Sequence, residues 1–321
     1  MDVFFYEAFA EEEQALRTCL PPGISAGFTR DTIQESGHTG PPAGIVSIRT
    51  QSVIPPSWAA QVRAILTRST GYDHVRTFLD DTGSCLPAGY LPLYCSRAVA
   101  EQALLLWLGL MRRIRDQTDH LPRFERDGLT GMECQGRTLV VVGVGSIGHE
   151  VCRIGAGLGM RVIGVDIVQR HGDVEYLGRD EAIPLADVIV CAMNLTAENR
   201  GYFSEALLNT TRKGAIFVNI ARGEFAKEQD LLKLLDEGRL SGVGLDVYQD
   251  EAALATALRA GSQESADAVR TVLALARHPR AILTPHNAFN TVESVGRKAL
   301  QSVQQVEHFL RHGEFIWNVP R

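Results

Sequence analysis

The sequence predicts an α/β protein of two lobes, each a parallel sheet wound on both faces by helices. Three observations predict it. The chain has 321 residues, which at roughly 150 residues per domain suits about two. Short apolar runs of strand length alternate with helical patterns, the arrangement that folds into parallel sheets. In the second half a β-branched run passes straight into Gly143-Val-Gly145-Ser-Ile-Gly148 and then into a helix.

Composition narrows the function. At 45% hydrophobic and 22% charged residues the chain is too apolar for disorder. A net charge of -6 argues against nucleic acid or anionic membrane as a partner. The longest apolar stretch, Ala103 to Met111, falls far short of the roughly 20 residues that span a bilayer. Acidic Glu11–Glu13 follow the first apolar run with no basic segment before it, so no secretory signal is read and a cytoplasmic protein is expected. The six cysteines show no C-x-x-C and no Cys/His spacing of a zinc site, which predicts reduced thiols and no metal.

In the first hundred residues the apolar runs Val3–Tyr6, Gly44–Ile48, Arg63–Leu66 and Leu91–Tyr94 are expected strands, with a short helix near Trp58–Val62. Gly and Pro mark 37–44 and 86–92 as loops. Ser96 to Arg115 reads as a helix with Ser96 as N-cap. Its apolar run is too wide for one amphipathic stripe, so it must be buried on several sides, as at a homodimer contact. The second half supplies six expected strands of one sheet: the run into Gly143, Arg161–Val165, Asp187–Cys191, Ala215–Asn219, Gly242–Val247 and Ala281–Thr284. Helices are expected at Ile147–Leu158, Ser204–Leu208 and Lys227–Glu237, the last stopped by Gly238.

The glycine turn has a physical reading. Gly143 makes the tight bend, Gly145 lets a pyrophosphate approach the backbone, and Gly148 packs helix against strand. The N–H groups of Ser146 and Ile147 at the positive helix end suit phosphate. Asp166 stands 18 residues after Gly148, where a carboxylate bonds the ribose hydroxyls and repels a 2′-phosphate. The cofactor read from this is NAD, with nearby Arg170 weakening the preference for it over NADP slightly.

Ligands of open parallel sheets sit beyond the carboxyl ends of the strands. Three reactive residues fall there: Arg222, Glu251 and His286. An arginine offers a fork for a carboxylate, and a histidine paired with a glutamate shuttles protons near neutral pH. Taken singly, His286 reads as a turn histidine, Arg222 as a surface ion-pair residue and Glu251 as a solvated helix-start acid. Their joint placement after three successive strands, downstream of the dinucleotide turn, favours a hydride-transfer site for a hydroxy or keto acid.

These residues carry a resemblance. Asn219-Ile-Ala-Arg222-Gly223, Gly244-Leu-Asp246-Val-Tyr248-Gln-Asp-Glu251 and Thr284-Pro-His286-Asn-Ala-Phe289 resemble the signature segments of the NAD-dependent D-2-hydroxyacid dehydrogenases, and Arg68-Ser-Thr70-Gly71-Tyr72-Asp73 resembles that family's substrate-carboxylate loop. The resemblance implies two Rossmann-like or flavodoxin-like lobes with the active site in the cleft. Residues 98–290 would bind NAD and carry a helical insertion at about 252–277; residues 1–97 with 291–321 would bind substrate. It implies that Arg222 holds the substrate carboxylate, that His286 exchanges the proton, and that Glu251 hydrogen-bonds His286. Thr70, Gly71, Tyr72 and Phe289 would meet the substrate. Asn194, Thr196, Ala221, Asp246 and His286 would join the glycine turn around the cofactor, Asp246 anchoring the nicotinamide amide.

Several positions depart from the family pattern: Ala252 follows Glu251, Gln102 stands where histidine is common, Asn194 replaces a proline and Arg76 an acid. The insertion would cover the cleft or form a subunit contact. Phe289 and Tyr248 resemble the D-lactate dehydrogenase branch and favour a small 2-keto acid such as pyruvate. Glyoxylate, hydroxypyruvate or phosphoglycerate is the alternative substrate, and an NADH-sensing corepressor-like binding protein is the alternative class.

Overall fold

Both ends of the chain meet in one folded unit. In the computed structural model, which describes residues 1–261 and 267–320, Met1–Cys95 and Asn290–Arg321 form this unit and Ser96–Phe289 forms a second. Positions 262–266 of the expected insertion, and position 321, lie outside the described residues.

The first unit holds five parallel strands: β1 (Val3–Phe5), β2 (Ala26–Phe28), β3 (Ile45–Ile48), β4 (Ala64–Thr67) and β5 (Ala88–Gly89), in the order β2-β1-β3-β4-β5. This is a flavodoxin-like winding. Strands β1, β3 and β4 are buried along their whole length, as strands covered on both faces must be. Two expectations are corrected. Leu91–Tyr94 is not a strand; Leu91 N–H donates to Ser69 O at 3.1 Å and the chain runs on into a helix. The fifth strand lies instead inside the expected loop 86–92, and the tail completes it: Asn318 bridges Gly89 in antiparallel sense, and Val319 N–H reaches Ala88 O at 2.8 Å. Edge strand β2 is a half-buried Ala-Gly-Phe with no apolar run to announce it.

Helix Val292–His312 packs on helix Ala10–Cys19 within this unit. A fully buried ion cluster fastens them. Glu12 Oε1 lies 2.8 Å from both Arg68 Nε and Lys298 Nζ, and all three side chains are 0% exposed. Arg68 also donates to Ser47 Oγ and to Tyr6 O. Burial alone would raise the Glu12 carboxyl, but Arg68, Lys298 and Arg49 together hold it at about 2.

The second unit is a seven-stranded parallel sheet, one strand more than expected. Its strands are β6 (Thr138–Val142), β7 (Arg161–Val165), β8 (Glu175–Tyr176), β9 (Val188–Cys191), β10 (Ala215–Asn219), β11 (Leu240–Leu245) and β12 (Ala281–Leu283). The order β12-β11-β10-β9-β6-β7-β8 reverses between β6 and β9, the switch point of a Rossmann sheet. The unexpected β8 is a two-residue edge strand. The apolar helix runs from Ser96 to Met111, ending short of the expected Arg115. Arg113 there adopts a left-handed φ of 53°, and a new helix, Ile114–His120, follows. The insertion forms helices Glu251–Arg259 and Asp267–Arg277. Their apolar faces, Leu254, Val269, Val272 and Leu275, are buried in the core of their own unit. Gly238, at φ +66°, stops helix Glu228–Asp236, with Arg239 N–H returning to Leu234 O.

Candidate active site

The dinucleotide turn is built from its glycines. Gly143 takes φ +91° and its N–H meets Val165 O at 2.8 Å; a Cβ there would strike Met193 N at 2.6 Å. At Gly148 a Cβ would lie 1.9 Å from Gly143 O, so the first turn of helix Ser146–Gly157 presses directly on the bend. At Gly145 the opposite holds, and nothing lies within 4 Å of a Cβ. That open space, beside helix N–H groups that have no intrahelical acceptor, fits the pyrophosphate of a dinucleotide. Ser146 is exposed and Ile147 half-buried there. Asp166, just past β7, accepts Val144 N–H at 2.6 Å and Val168 N–H at 2.9 Å. The same carboxylate that suits a ribose therefore fixes the glycine turn.

Arg222, Glu251 and His286 follow the carboxyl ends of β10, β11 and β12, which are neighbours in the sheet. Glu251 Oε1 and Oε2 lie 2.7 and 2.8 Å from His286 Nδ1, both side chains 18% exposed. Asn219 folds the Arg222 loop back on itself, accepting Ala221 N–H at 3.1 Å and donating to Arg222 O at 2.7 Å. Gly223 is required beside it, because a Cβ would lie 1.8 Å from the Tyr248 carbonyl carbon. Glu228, missed in the sequence, accepts Gln249 N–H at 2.8 Å from the β11 loop, and burial raises its carboxyl.

His286 itself takes φ 49°, a left-handed conformation costly for a non-glycine residue. The loop around it is tied down by Asp246. This fully buried carboxylate accepts Thr284 Oγ1 at 2.5 Å, Asn287 N–H at 2.8 Å and Ala288 N–H at 2.9 Å. Burial raises its carboxyl, opposed by those donors and by nearby His286. Asp246 thus holds the histidine loop. Tyr248 donates its hydroxyl to Thr284 O at 2.8 Å, and Gln102 donates to Thr284 Oγ1 at 3.2 Å. The departing Gln102 is thereby explained as a loop support. Phe289 is buried, 6% exposed.

Asn194 and Thr196 lie in the loop after β9, closed by Asn199, which donates to Asn194 O and accepts Thr196 N–H, both at 2.8 Å. In the first unit, Thr70, Gly71 and Tyr72 follow β4. Thr70 Oγ1 donates to Leu91 O at 3.1 Å and lies 3.4 Å from Cys95 Sγ, Ser69 Oγ donates to Gly71 O, and Tyr72 packs edge-on to Tyr90.

A Rossmann sheet with a histidine–glutamate pair beyond its strands is the arrangement that suits a nicotinamide-dependent oxidoreductase. Residues 104–288 match the family description "D-isomer specific 2-hydroxyacid dehydrogenase, NAD binding domain". The D-lactate dehydrogenase of Streptococcus agalactiae is 30% identical over 300 residues, 90% of this chain and 89% of that relative. That of Escherichia coli is 30% identical over 256 residues, 77% of this chain and 76% of the relative. A solved D-lactate dehydrogenase from Aquifex aeolicus, complexed with NAD and lactic acid, superposes with a TM-score of 0.85 at 26% identity over 98% of this chain and 99% of that one. The chain belongs to the D-isomer specific 2-hydroxyacid dehydrogenase family. It is an NAD-dependent oxidoreductase acting on the CH–OH group of 2-hydroxy acids, a reading favoured over the corepressor-like alternative.

Proposed function

We propose that the enzyme interconverts a small 2-keto acid, pyruvate foremost, and the D-2-hydroxy acid, in the cytoplasm and as a homodimer. The observation that carries the reaction is the Glu251–His286 pair beyond β11 and β12. When bound, NADH supplies the hydride. Gly145 and the helix N-terminus hold the pyrophosphate, Asp166 takes the ribose, and the loops of Asn194, Thr196 and Ala221 flank the cofactor. Arg222 pairs with the substrate carboxylate, and the loop of Thr70, Gly71 and Tyr72 is a substrate-binding segment of the first unit. His286 gives its proton to the carbonyl oxygen as the alcohol forms and takes it back in the reverse direction. Glu251 keeps the ring oriented through His286 Nδ1.

The substrate reading rests on the D-lactate dehydrogenase relatives and on Phe289, an aromatic residue three positions past His286 that suits a small side chain. Six cysteines without a disulfide fit a reducing compartment. Exposed Leu105, Ile114, Leu121 and Phe124 supply apolar surface for a second copy. NADH consumption against pyruvate, hydroxypyruvate, glyoxylate and a bulky aromatic keto acid tests the proposal, pyruvate being expected to give the highest kcat/KM. His286→Ala should cut turnover about 10²–10⁴-fold and leave NADH binding intact. Tight NADH binding with no turnover of any acid would overturn the assignment.

A further inference from the structure

Away from the catalytic loops, His149, His171 and Asp173 bring three metal-ligating side chains together, each offering one ligand atom within 4.8 Å of the others. His149 stands in the first turn of helix Ser146–Gly157, while His171 and Asp173 lie between β7 and β8. The two imidazoles stack face to face, centroids 3.8 Å apart and planes 7° from parallel. His149 Nε2 meets both Asp173 oxygens, at 3.0 and 2.9 Å.

Packing does not account for this group. The Asp173 side chain is 63% exposed, so the cluster fills no core. Two imidazoles and a carboxylate are the donor set chosen by zinc and its neighbours, whereas magnesium and calcium take oxygen alone. Tetrahedral zinc at about 2.0–2.1 Å from each ligand sets the ligand atoms roughly 3.3 Å apart. The observed cluster must therefore close by up to about 1.5 Å, and the stacked rings must turn so that each aims a nitrogen at the ion, which His171 and Asp173, both between β7 and β8, can supply by changing rotamer.

We propose that His149, His171 and Asp173 bind a divalent transition-metal ion of the zinc class, with water as the fourth ligand. The ion fastens the segment between β7 and β8 to the dinucleotide helix. That segment starts at Asp166, which already grips Val144 N–H; the metal clasps its far end. Nothing local in the sequence signals such a site, because position 149 lies over twenty residues from 171 and 173 and no cysteine takes part.

Cobalt(II) and zinc titrations of the full chain test this. One equivalent of cobalt should bind with visible ligand-field bands and no thiolate charge-transfer band, and zinc should displace it. His171→Ala and Asp173→Asn should each weaken that equivalent by about tenfold or more, while excess magnesium leaves it in place. Identical titrations of the wild type and both variants, or a thiolate band marking Cys85 or Cys19 as the ligand, would overturn the site.

Discussion

Gly143 O occupies the place where a side chain at position 148 would begin, 1.9 Å from its Cβ. Position 145, three residues earlier, faces open space. The two glycines of one motif therefore serve different ends, and alanine separates them. Gly148→Ala must push the helix off the bend and should cost about 1–3 kcal/mol, read as a lower urea midpoint. Gly145→Ala, at φ −79°, should keep the midpoint yet weaken NADH about tenfold or more, because the methyl stands where the pyrophosphate approaches. Unchanged NADH affinity in Gly145→Ala would remove the phosphate from that turn.

Glu251→Gln keeps the size of the side chain but removes the charge beside His286. Turnover of the keto acid should fall about 10²-fold or more, since an orienting carboxylate lost from such a pair disables the base. KM for NADH should stay near the wild-type value. A KM effect without a kcat effect would place Glu251 outside the proton transfer.

Asp166→Ala removes a hydrogen-bonding carboxylate worth about 1.5–3 kcal/mol to a bound hydroxyl. The ratio of kcat/KM for NADH over NADPH should drop roughly 10–100-fold. The variant also frees Val144 N–H, so some loss of NADH affinity is expected beyond the change in preference. An unchanged ratio would leave Asp166 with its backbone role alone.

Glu12 sets an acid limit on stability. Its carboxyl is held at about 2 in the folded chain against an ordinary 4.5, so the folded state binds fewer protons between those values. The stabilisation is complete above about 4.5 and is lost as pH falls toward 2. Glu12→Gln should flatten that part of the unfolding profile. It should also lower stability by about 3–5 kcal/mol, as Arg68 and Lys298 stay buried without their carboxylate. A variant that keeps the wild-type acid slope would move its origin elsewhere.

What the sequence announced is what a few adjacent residues can encode. The glycine turn, the buried runs of β1, β3, β4, β6 and β10, and the positions of Arg222, Glu251 and His286 all follow from local pattern. The rest depends on partners far along the chain. Ala88–Gly89 sits in a stretch rich in Pro and Gly and becomes a strand by pairing with β4 on one side while Asn318 and Val319 arrive on the other. The part Asp246 plays in holding the histidine loop shows only when Thr284, Asn287 and Ala288, about forty residues on, are seen to meet its oxygens. Helix Ser96–Met111 carries an apolar pattern that runs on past its end, and the left-handed Arg113 breaks it without a glycine or proline to signal the stop.

The buried trio of Glu12, Arg68 and Lys298 has a consequence for synthesis. Lys298 follows Arg68 by 230 positions, a delay of roughly 10–45 s at about 5–20 residues per second. Throughout that interval the nascent chain holds an acid and an arginine whose third member has not yet been made, along with an edge strand awaiting its tail. The dinucleotide-binding unit, contiguous in sequence, is finished first. The unit that holds Glu12 and Arg68 is therefore sealed later than the dinucleotide-binding unit, when helix Val292–His312 arrives.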